Sequence, residues 1–185
     1  MREYHKGRYC VSTANRGLMG ESIIQNAGSE ARTVAGGKFL AFFLAGEEYD
    51  IEILNVHEII GVIPVTSVPG TPRYIRGIAN LRGKIIPIVD LRQKFGMESK
   101  HLTAQTCIIV VNVHGAEIGI IVDRVSEVLS IADNEIEPAP AFGKDIRTDY
   151  LLGIGTSQQR VRILLDTDRV LADDSPIQIQ GSGTM

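Results

Sequence analysis

Histidine and cysteine are the side chains whose spacing would most readily reveal chemistry in this sequence, which has four histidines and two cysteines. His5, His57, His101 and His114 are scattered, and none stands at a zinc-site spacing from another ligand. Cys107 opens an apolar run without an adjacent base, which favours a buried, inert thiol over a nucleophile. The sequence therefore predicts neither a metal centre nor a cysteine-based active site.

Glycine-rich stretches offer two candidates for nucleotide binding, and both fail on spacing. The gap between Gly77 and Gly83 is one residue longer than in a phosphate-binding loop, and Lys84 precedes Ile85 instead of the hydroxyl residue that would hold magnesium. Gly153-Ile-Gly155 lacks the third glycine of a dinucleotide-binding turn. No Gly-x-Ser-x-Gly nucleophile motif occurs.

Two matching carboxylates, Asp90 and Asp166, precede short segments with a helical pattern, and capping those helical turns explains both without catalysis. No combination of nucleophile, base or ligand remains. We therefore predict no catalytic residues, no metal and no cofactor. A small enzyme with an unrecognised site stays open as the alternative.

Composition sets the class of protein. The chain has 185 residues, 44% of them hydrophobic, which is enough to bury a core. A net charge of −3 argues against a nucleic-acid or anionic-membrane binder, because such proteins need a basic surface. The longest apolar runs, 107–111 and 118–122, end far short of the roughly 20 residues of a membrane helix. Because the sequence shows neither a secretory signal nor a disulfide framework of cysteines, we expect the protein to lie in the reducing cytoplasm.

The chain divides by pattern. Residues 1–38 are rich in Gly, Ser, Asn and Ala without a sustained period, which predicts a flexible arm, with a short helix or a partner-ordered segment as the alternative. Residues 39–175 consist of short β-type runs cut by Gly, Pro and Asn, which predicts an all-β domain with helical turns near 91–96 and 167–172. Residues 176–185 are predicted to be a flexible tail.

An internal repeat divides the β domain. "AGEEYDIEILNVHEII" (45–60) aligns without gaps on "HGAEIGIIVDRVSEVL" (114–129), which places Glu58 on Glu127. "YIRGIANLRGKIIPIVDL" (74–91) aligns in the same way on "YLLGIGTSQQRVRILLDT" (150–167). The repeat predicts two related β-barrels, which would gain core by packing on one another. The predicted units are 39–100 and 101–175, joined near 96–105.

The two copies differ at one tight turn. The first copy has Asn80-Leu81-Arg82-Gly83 where the second has Thr156-Ser157-Gln158-Gln159. Chain reversal alone would accept either sequence, so Leu81 and Arg82 are candidates for a role beyond folding. The alternative is that Arg82 only pairs with a nearby carboxylate while Leu81 fills a local hollow.

The stretch "VPGTPRYIRGIANLRGKIIPIVDLRQKFG" (68–96) resembles the signature of the chemotaxis coupling protein CheW family, and residues 39 to about 172 can be read along that family. The resemblance implies two five-stranded Src-homology-3-like barrels packed together. It also implies a non-catalytic, cytoplasmic adaptor, recruited to membrane receptor arrays, that joins the tips of methyl-accepting chemoreceptors to the histidine kinase CheA through its regulatory domain. Neither nucleic-acid binding nor direct membrane insertion is expected. A scaffold of a non-flagellar chemosensory pathway is the near alternative.

The family pattern also implies two binding surfaces. Leu40, Ile53 and Val56 correspond to a kinase-facing apolar patch, although composition alone would place Ile53 and Val56 in the core, and we expect at least one of the three to be buried. The receptor-facing set implied by the pattern is Glu58, Gly77, Leu81, Arg82, Ile85, Ile108 and Gly119. The glycines could equally serve strand geometry. We expect Glu58 to hold Arg82 and Leu81 to brace the turn.

Overall fold

The computed structural model describes residues 35–139, 150–157 and 159–172. The described elements are mainly β-strands, which confirms the predicted all-β class. The strands are β1 Gly37–Leu44, β2 Glu47–Glu52, β3 Val56–Gly61, β4 Ile75–Leu81, β5 Lys84–Asp90, β6 Cys107–Val113, β7 Ala116–Val122, β8 Arg124–Ile131, β9 Ile136–Glu137, β10 Leu151–Ser157 and β11 Arg160–Leu165. The helices are α1 Leu91–Lys94 and α2 Thr167–Leu171, and the 3-10 turns are Ile53–Asn55 and Asp133–Glu135.

The predicted flexible segments fall largely outside the described residues. Positions 1–34 and 176–185 are not among them, so the predicted arm and tail stay predictions. The first strand begins at Gly37, two residues before the predicted boundary of the β domain.

Tight hairpins connect the strands in pairs. The connections β1–β2, β4–β5 and β6–β7 each consist of two residues with positive φ, the conformation of a type I′ turn, whose twist matches that of the strands. The first of these residues is Ala45, Arg82 and His114, with φ values of 55°, 52° and 51°. A glycine follows each of them, as expected for the second position of such a turn.

The strands form two sheets. A six-stranded sheet has the order β8-β1-β2-β11-β10-β9, and a five-stranded sheet has the order β3-β6-β7-β5-β4. The end strands β8 and β9 are joined by residues 132–135 alone, so the six-stranded sheet must curl until its ends meet. The five-stranded sheet curls likewise, because Thr66, five residues after β3, bridges to Ile78 of β4. These sheets fit the predicted Src-homology-3-like subdomains, although the described strand pairing closes neither into a complete ring.

The two sheets do not follow the predicted division of the chain between residues 100 and 101. Hairpin β1–β2, from the first copy, lies in the six-stranded sheet with β8–β11 of the second copy. In the same way, hairpin β6–β7, from the second copy, lies in the five-stranded sheet with β3–β5 of the first copy. Equivalent parallel pairings join the exchanged hairpins, with Asp50 opposite Leu164 and Gly119 opposite Ile88. The repeat is therefore real, but each subdomain contains strands from both copies.

The core formed by the described residues has three parts. The largest hydrophobic cluster combines residues of the six-stranded sheet, such as Phe42 and Ile51, with residues of the five-stranded sheet, such as Ile109 and Val111. A smaller cluster lies within each sheet. Each curled sheet thus has little core of its own, and the shared cluster supplies the rest.

Candidate docking surfaces

The β4–β5 turn presents Arg82 on the surface. Its Nη2 donates a hydrogen bond of 2.7 Å to Glu58 Oε2 of β3, which confirms the predicted pairing. The Arg82 side chain is 74% exposed and that of Glu58 17%, so the carboxylate is the anchored member. Asn80 Oδ1 accepts from the Gly83 N–H at 2.8 Å and closes the turn. Leu81 is partly buried against the core of the five-stranded sheet, where it fixes the entry to the turn.

The backbone of Arg82 is unusual for an arginine. Its φ of 52° lies in the left-handed region, which costs an L-residue other than Asn, Asp or Gly about 1 kcal/mol. The folding of the turn alone would favour Asn or Gly at this position. Ala45 and His114 adopt nearly the same φ at the equivalent turns, so the exposed side chain of Arg82, and not its backbone, sets this turn apart.

A second group of polar side chains lies beside the turn. Lys84 Nζ lies 3.0 Å from Glu117 Oε1, and His57 Nε2 lies 3.9 Å from the same oxygen. We call Glu58, Arg82, Ile85 and these three residues the turn surface. Sequence reasoning did not bring Lys84 and Glu117 together, because their contact depends on the parallel pairing of β5 with β7.

Three residues of the predicted receptor-facing set are buried and cannot contact a partner directly. Ile108 is 0% exposed. A side chain at Gly77, whose φ is 139°, would collide with the carbonyl group of Thr66, and one at Gly119 would collide with core isoleucines. These residues shape the five-stranded sheet by close packing, which corrects their assignment to a surface. Ile85, 48% exposed, does reach the surface.

The predicted kinase-facing patch needs correction at Leu40, and the expectation that at least one of its three residues is buried is confirmed. Leu40 is 1% exposed and belongs to the core between the sheets, whereas Ile53 and Val56 are partly buried against that core. The exposed residue of this region is Leu54, at 92%. Leu54 lies in a 3-10 turn that breaks the strand alternation and points one apolar side chain outward. Asn55 Nδ2 fixes this turn by donating to Thr167 Oγ1 of α2 at 2.8 Å.

The remaining candidates for chemistry have structural roles. Asp90 Oδ1 and Asp166 Oδ1 accept from the backbone N–H groups of Gln93 and Arg169, both at 3.2 Å, as predicted for helix caps. Burial raises the pKa of the Cys107 thiol, which makes it less reactive.

Neither metal-binding clusters nor membrane-spanning helices are found in the described ranges. No group of three or more His, Cys, Asp or Glu residues in them could hold a metal ion. No helix there is long and apolar enough to cross a membrane. A cavity of about 420 Å³ lies beside α1, where Arg92 is engaged with Asp123 at 2.7 Å.

Comparisons with known proteins agree with these features. The family model described as CheW-like domain matches residues 38–175. The chain is 43% identical over 144 residues to the chemotaxis protein CheW of Klebsiella aerogenes, covering 78% of this chain and 87% of that protein. It is 33% identical over 142 residues to CheW of Rhizobium meliloti, covering 77% and 92%.

A solved structure is similar over most of its length. The crystal structure of the scaffolding protein TtCheW from Thermoanaerobacter tengcongensis superposes with a TM-score of 0.69 at 35% sequence identity, covering 81% of this chain and 98% of that one. Sequence and fold thus agree over the whole β domain. The chain belongs to the CheW-like domain family.

Proposed function

We propose that this chain is a non-catalytic adaptor that couples methyl-accepting chemoreceptors to the histidine kinase CheA. Two of its relatives bear the name chemotaxis protein CheW, and one structural neighbour is called a scaffolding protein. The observation that carries the proposal is Arg82, an exposed arginine at a tight turn whose guanidinium is held by Glu58. A scaffold needs separate adhesive surfaces and no reacting groups.

The turn surface is the proposed receptor contact. Receptor tips are expected to present an amphipathic helical hairpin, which needs both an apolar contact and a directed polar contact. Ile85, at 48% exposure, supplies the first, and the guanidinium of Arg82 supplies the second. Because Glu58 holds only one edge of the guanidinium, its other N–H donors face solvent and can bind a receptor acceptor.

The proposed kinase contact is centred on Leu54. A leucine with 92% exposure beside the half-buried Ile53 and Val56 forms an apolar projection on a well-anchored turn. Burial of such a side chain in a partner's pocket would contribute roughly 2 kcal/mol to binding. The regulatory domain of CheA, a related module, is the proposed partner, and the chain would reach the membrane only through its receptors, from the cytoplasm.

The test is a pair of titrations with the purified full chain, one with the CheA regulatory domain and one with a receptor cytoplasmic fragment. Arg82→Ala should weaken receptor binding and leave kinase binding intact, whereas Leu54→Asp should do the reverse. If neither fragment binds the wild-type chain, the adaptor proposal is wrong. If both variants lose both partners while remaining folded, the assignment of two separate surfaces is wrong.

A further inference from the structure

A charged pair lies inside the six-stranded sheet. Arg162 of β11 has a side-chain exposure of 2%, and Asp50 of β2 has 0%. Arg162 Nη1 donates to Asp50 Oδ1 at 3.1 Å and lies 3.4 Å from Oδ2. Buried charges are stable only when they are well paired. Neutralising either member of this pair would therefore leave the other charge buried without its partner.

The pair is not isolated. Glu48 Oε1 lies 3.5 Å from Arg162 Nη1, and Glu127 Oε1 lies 3.5 Å from Nη2. The side chains of Glu48 and Glu127 are 15% and 53% exposed, so three carboxylates lead from the core to the surface around one guanidinium. Arg162 Nε is buried and has no hydrogen-bond partner among the described residues, so the guanidinium is incompletely satisfied where it lies.

The second copy of the fold shows that the sheet does not need this pair. The repeat alignment places Arg162 on Ile86 and Asp50 on Gly119. In the five-stranded sheet, isoleucines fill the same space so tightly that a methyl group on Gly119 would lie 2.6 Å from Ile88 Cδ1. Apolar side chains therefore pack the equivalent positions in the same molecule, so the packing of the sheet does not by itself explain the ion pair.

Asp50 is poised to change charge. Its burial raises the pKa of the carboxyl group to about 6, against the opposing effect of Arg162 and with a further increase from Glu48 and Glu127. At a pH between 3.8, the ordinary pKa of aspartate, and about 6, Asp50 is mainly protonated in the folded chain and mainly ionised in the unfolded chain. The pair is thus weakened by mild acidification, whereas Arg162 keeps its charge.

We propose that Asp50 and Arg162 form a proton-operated latch in the six-stranded sheet. Ionised Asp50 holds the guanidinium in the core. When a solvent proton binds Asp50, its hydrogen bonds from Arg162 weaken, and the guanidinium moves outward to Glu48 and Glu127. Glu127 is 53% exposed on β8, an end strand of the six-stranded sheet, so the latch moves a positive charge toward the surface of this strand.

NMR titration of the full-length chain between pH 7.5 and 4.5 tests the latch. The Asp50 carboxyl carbon should titrate with a midpoint near 6, and the Arg162 Nε and Leu164 methyl signals should move with the same midpoint. The methyl signals of Ile86 and Ile88, at the equivalent positions of the five-stranded sheet, should not follow it. An Asp50 midpoint below 4.5, or an Arg162 signal that does not move with Asp50, would overturn the proposal.

Variants test whether the carboxylates around Arg162 are coupled to the titration of Asp50. Glu48→Gln, at a partly exposed position, should lower the Asp50 midpoint because it removes a negative neighbour. Asp50→Asn should hold Arg162 in its acid-state environment at every pH and abolish the shared titration. If Asp50→Asn fails to fold, Glu127→Gln serves in its place, since it too should lower the midpoint. An unchanged midpoint in both glutamate variants would refute the coupling.

Discussion

Arg82→Asn separates folding from function at the β4–β5 turn. Asparagine tolerates the φ of 52° that arginine adopts there, so the change should relieve about 1 kcal/mol of backbone cost. It also removes the 2.7 Å pair with Glu58, and an exposed pair of this kind contributes about 0–1 kcal/mol. The two effects oppose each other, so the free energy of unfolding should change by less than about 1 kcal/mol.

Binding should respond very differently. An arginine desolvated at an interface contributes about 2 kcal/mol or more, so receptor binding should weaken roughly 30-fold. Arg82→Lys should not restore it fully, because lysine lacks the planar fork. Urea denaturation and calorimetric titration with a receptor fragment provide the two measurements.

His114→Asn is the matched control. His114 occupies the same position of the equivalent β6–β7 turn, with a φ of 51°, and lies outside the proposed surfaces. The His114→Asn variant should have a free energy of unfolding about 0.5–1 kcal/mol higher than that of the wild type, and its receptor binding should be unchanged. If Arg82→Asn unfolds the chain, or if receptor binding is as strong as in the control, then Arg82 has only a structural role.

The other predictions distinguish surface from core. Leu54→Asp should weaken kinase binding about tenfold or more while the melting temperature stays nearly constant. Leu40→Ala should lower the free energy of unfolding by about 2–5 kcal/mol. Equal decreases in melting temperature for the two variants would contradict this distinction. Gly119→Ala should destabilise the chain by about 1–3 kcal/mol in urea denaturation, because its methyl group meets two core isoleucines, and a neutral effect would show that they can repack. Because the pKa of Asp50 is raised to about 6, its contribution to stability is present at low pH and is lost as the pH rises through that value. Between pH 7 and 5, the unfolding equilibrium of the wild type should therefore shift about tenfold toward the folded state relative to Asp50→Asn, and parallel curves would contradict the raised pKa.

Features that depend on neighbouring residues could be predicted from the sequence. Asp90 and Asp166 cap their helices as expected, since capping needs only a backbone N–H three residues away. The repeat and the turn at Arg82 followed from local pattern in the same way. Local pattern cannot predict the Arg82–Glu58 pair, because the two residues are 24 positions apart in the sequence. The family resemblance supplies that prediction.

Features that depend on strand order could not be predicted in this way. The family pattern implies surface positions for Leu40 and Ile108, which lie in the core. Strand alternation does not correct this, because it does not tell which face of a strand is buried when both sides meet apolar layers. The exchange of hairpins was hidden for a related reason. Two copies with similar strands can pair within or between copies, and the sequence pattern of each strand is the same in both arrangements.

This exchange bears directly on how an adaptor could pass a signal. Strand β2 lies in the six-stranded sheet and β3 in the five-stranded sheet, so the 3-10 turn Ile53–Asn55 is the point where the chain crosses between them. Leu54 lies on that crossing, and Glu58 follows four residues later on β3. Partners at the two proposed surfaces, one on Leu54 and one on Arg82, which Glu58 holds, would therefore act on the two ends of one short segment. Without the exchange, β2 and β3 would belong to one sheet, and the segment between the two proposed surfaces would not cross from one sheet to the other.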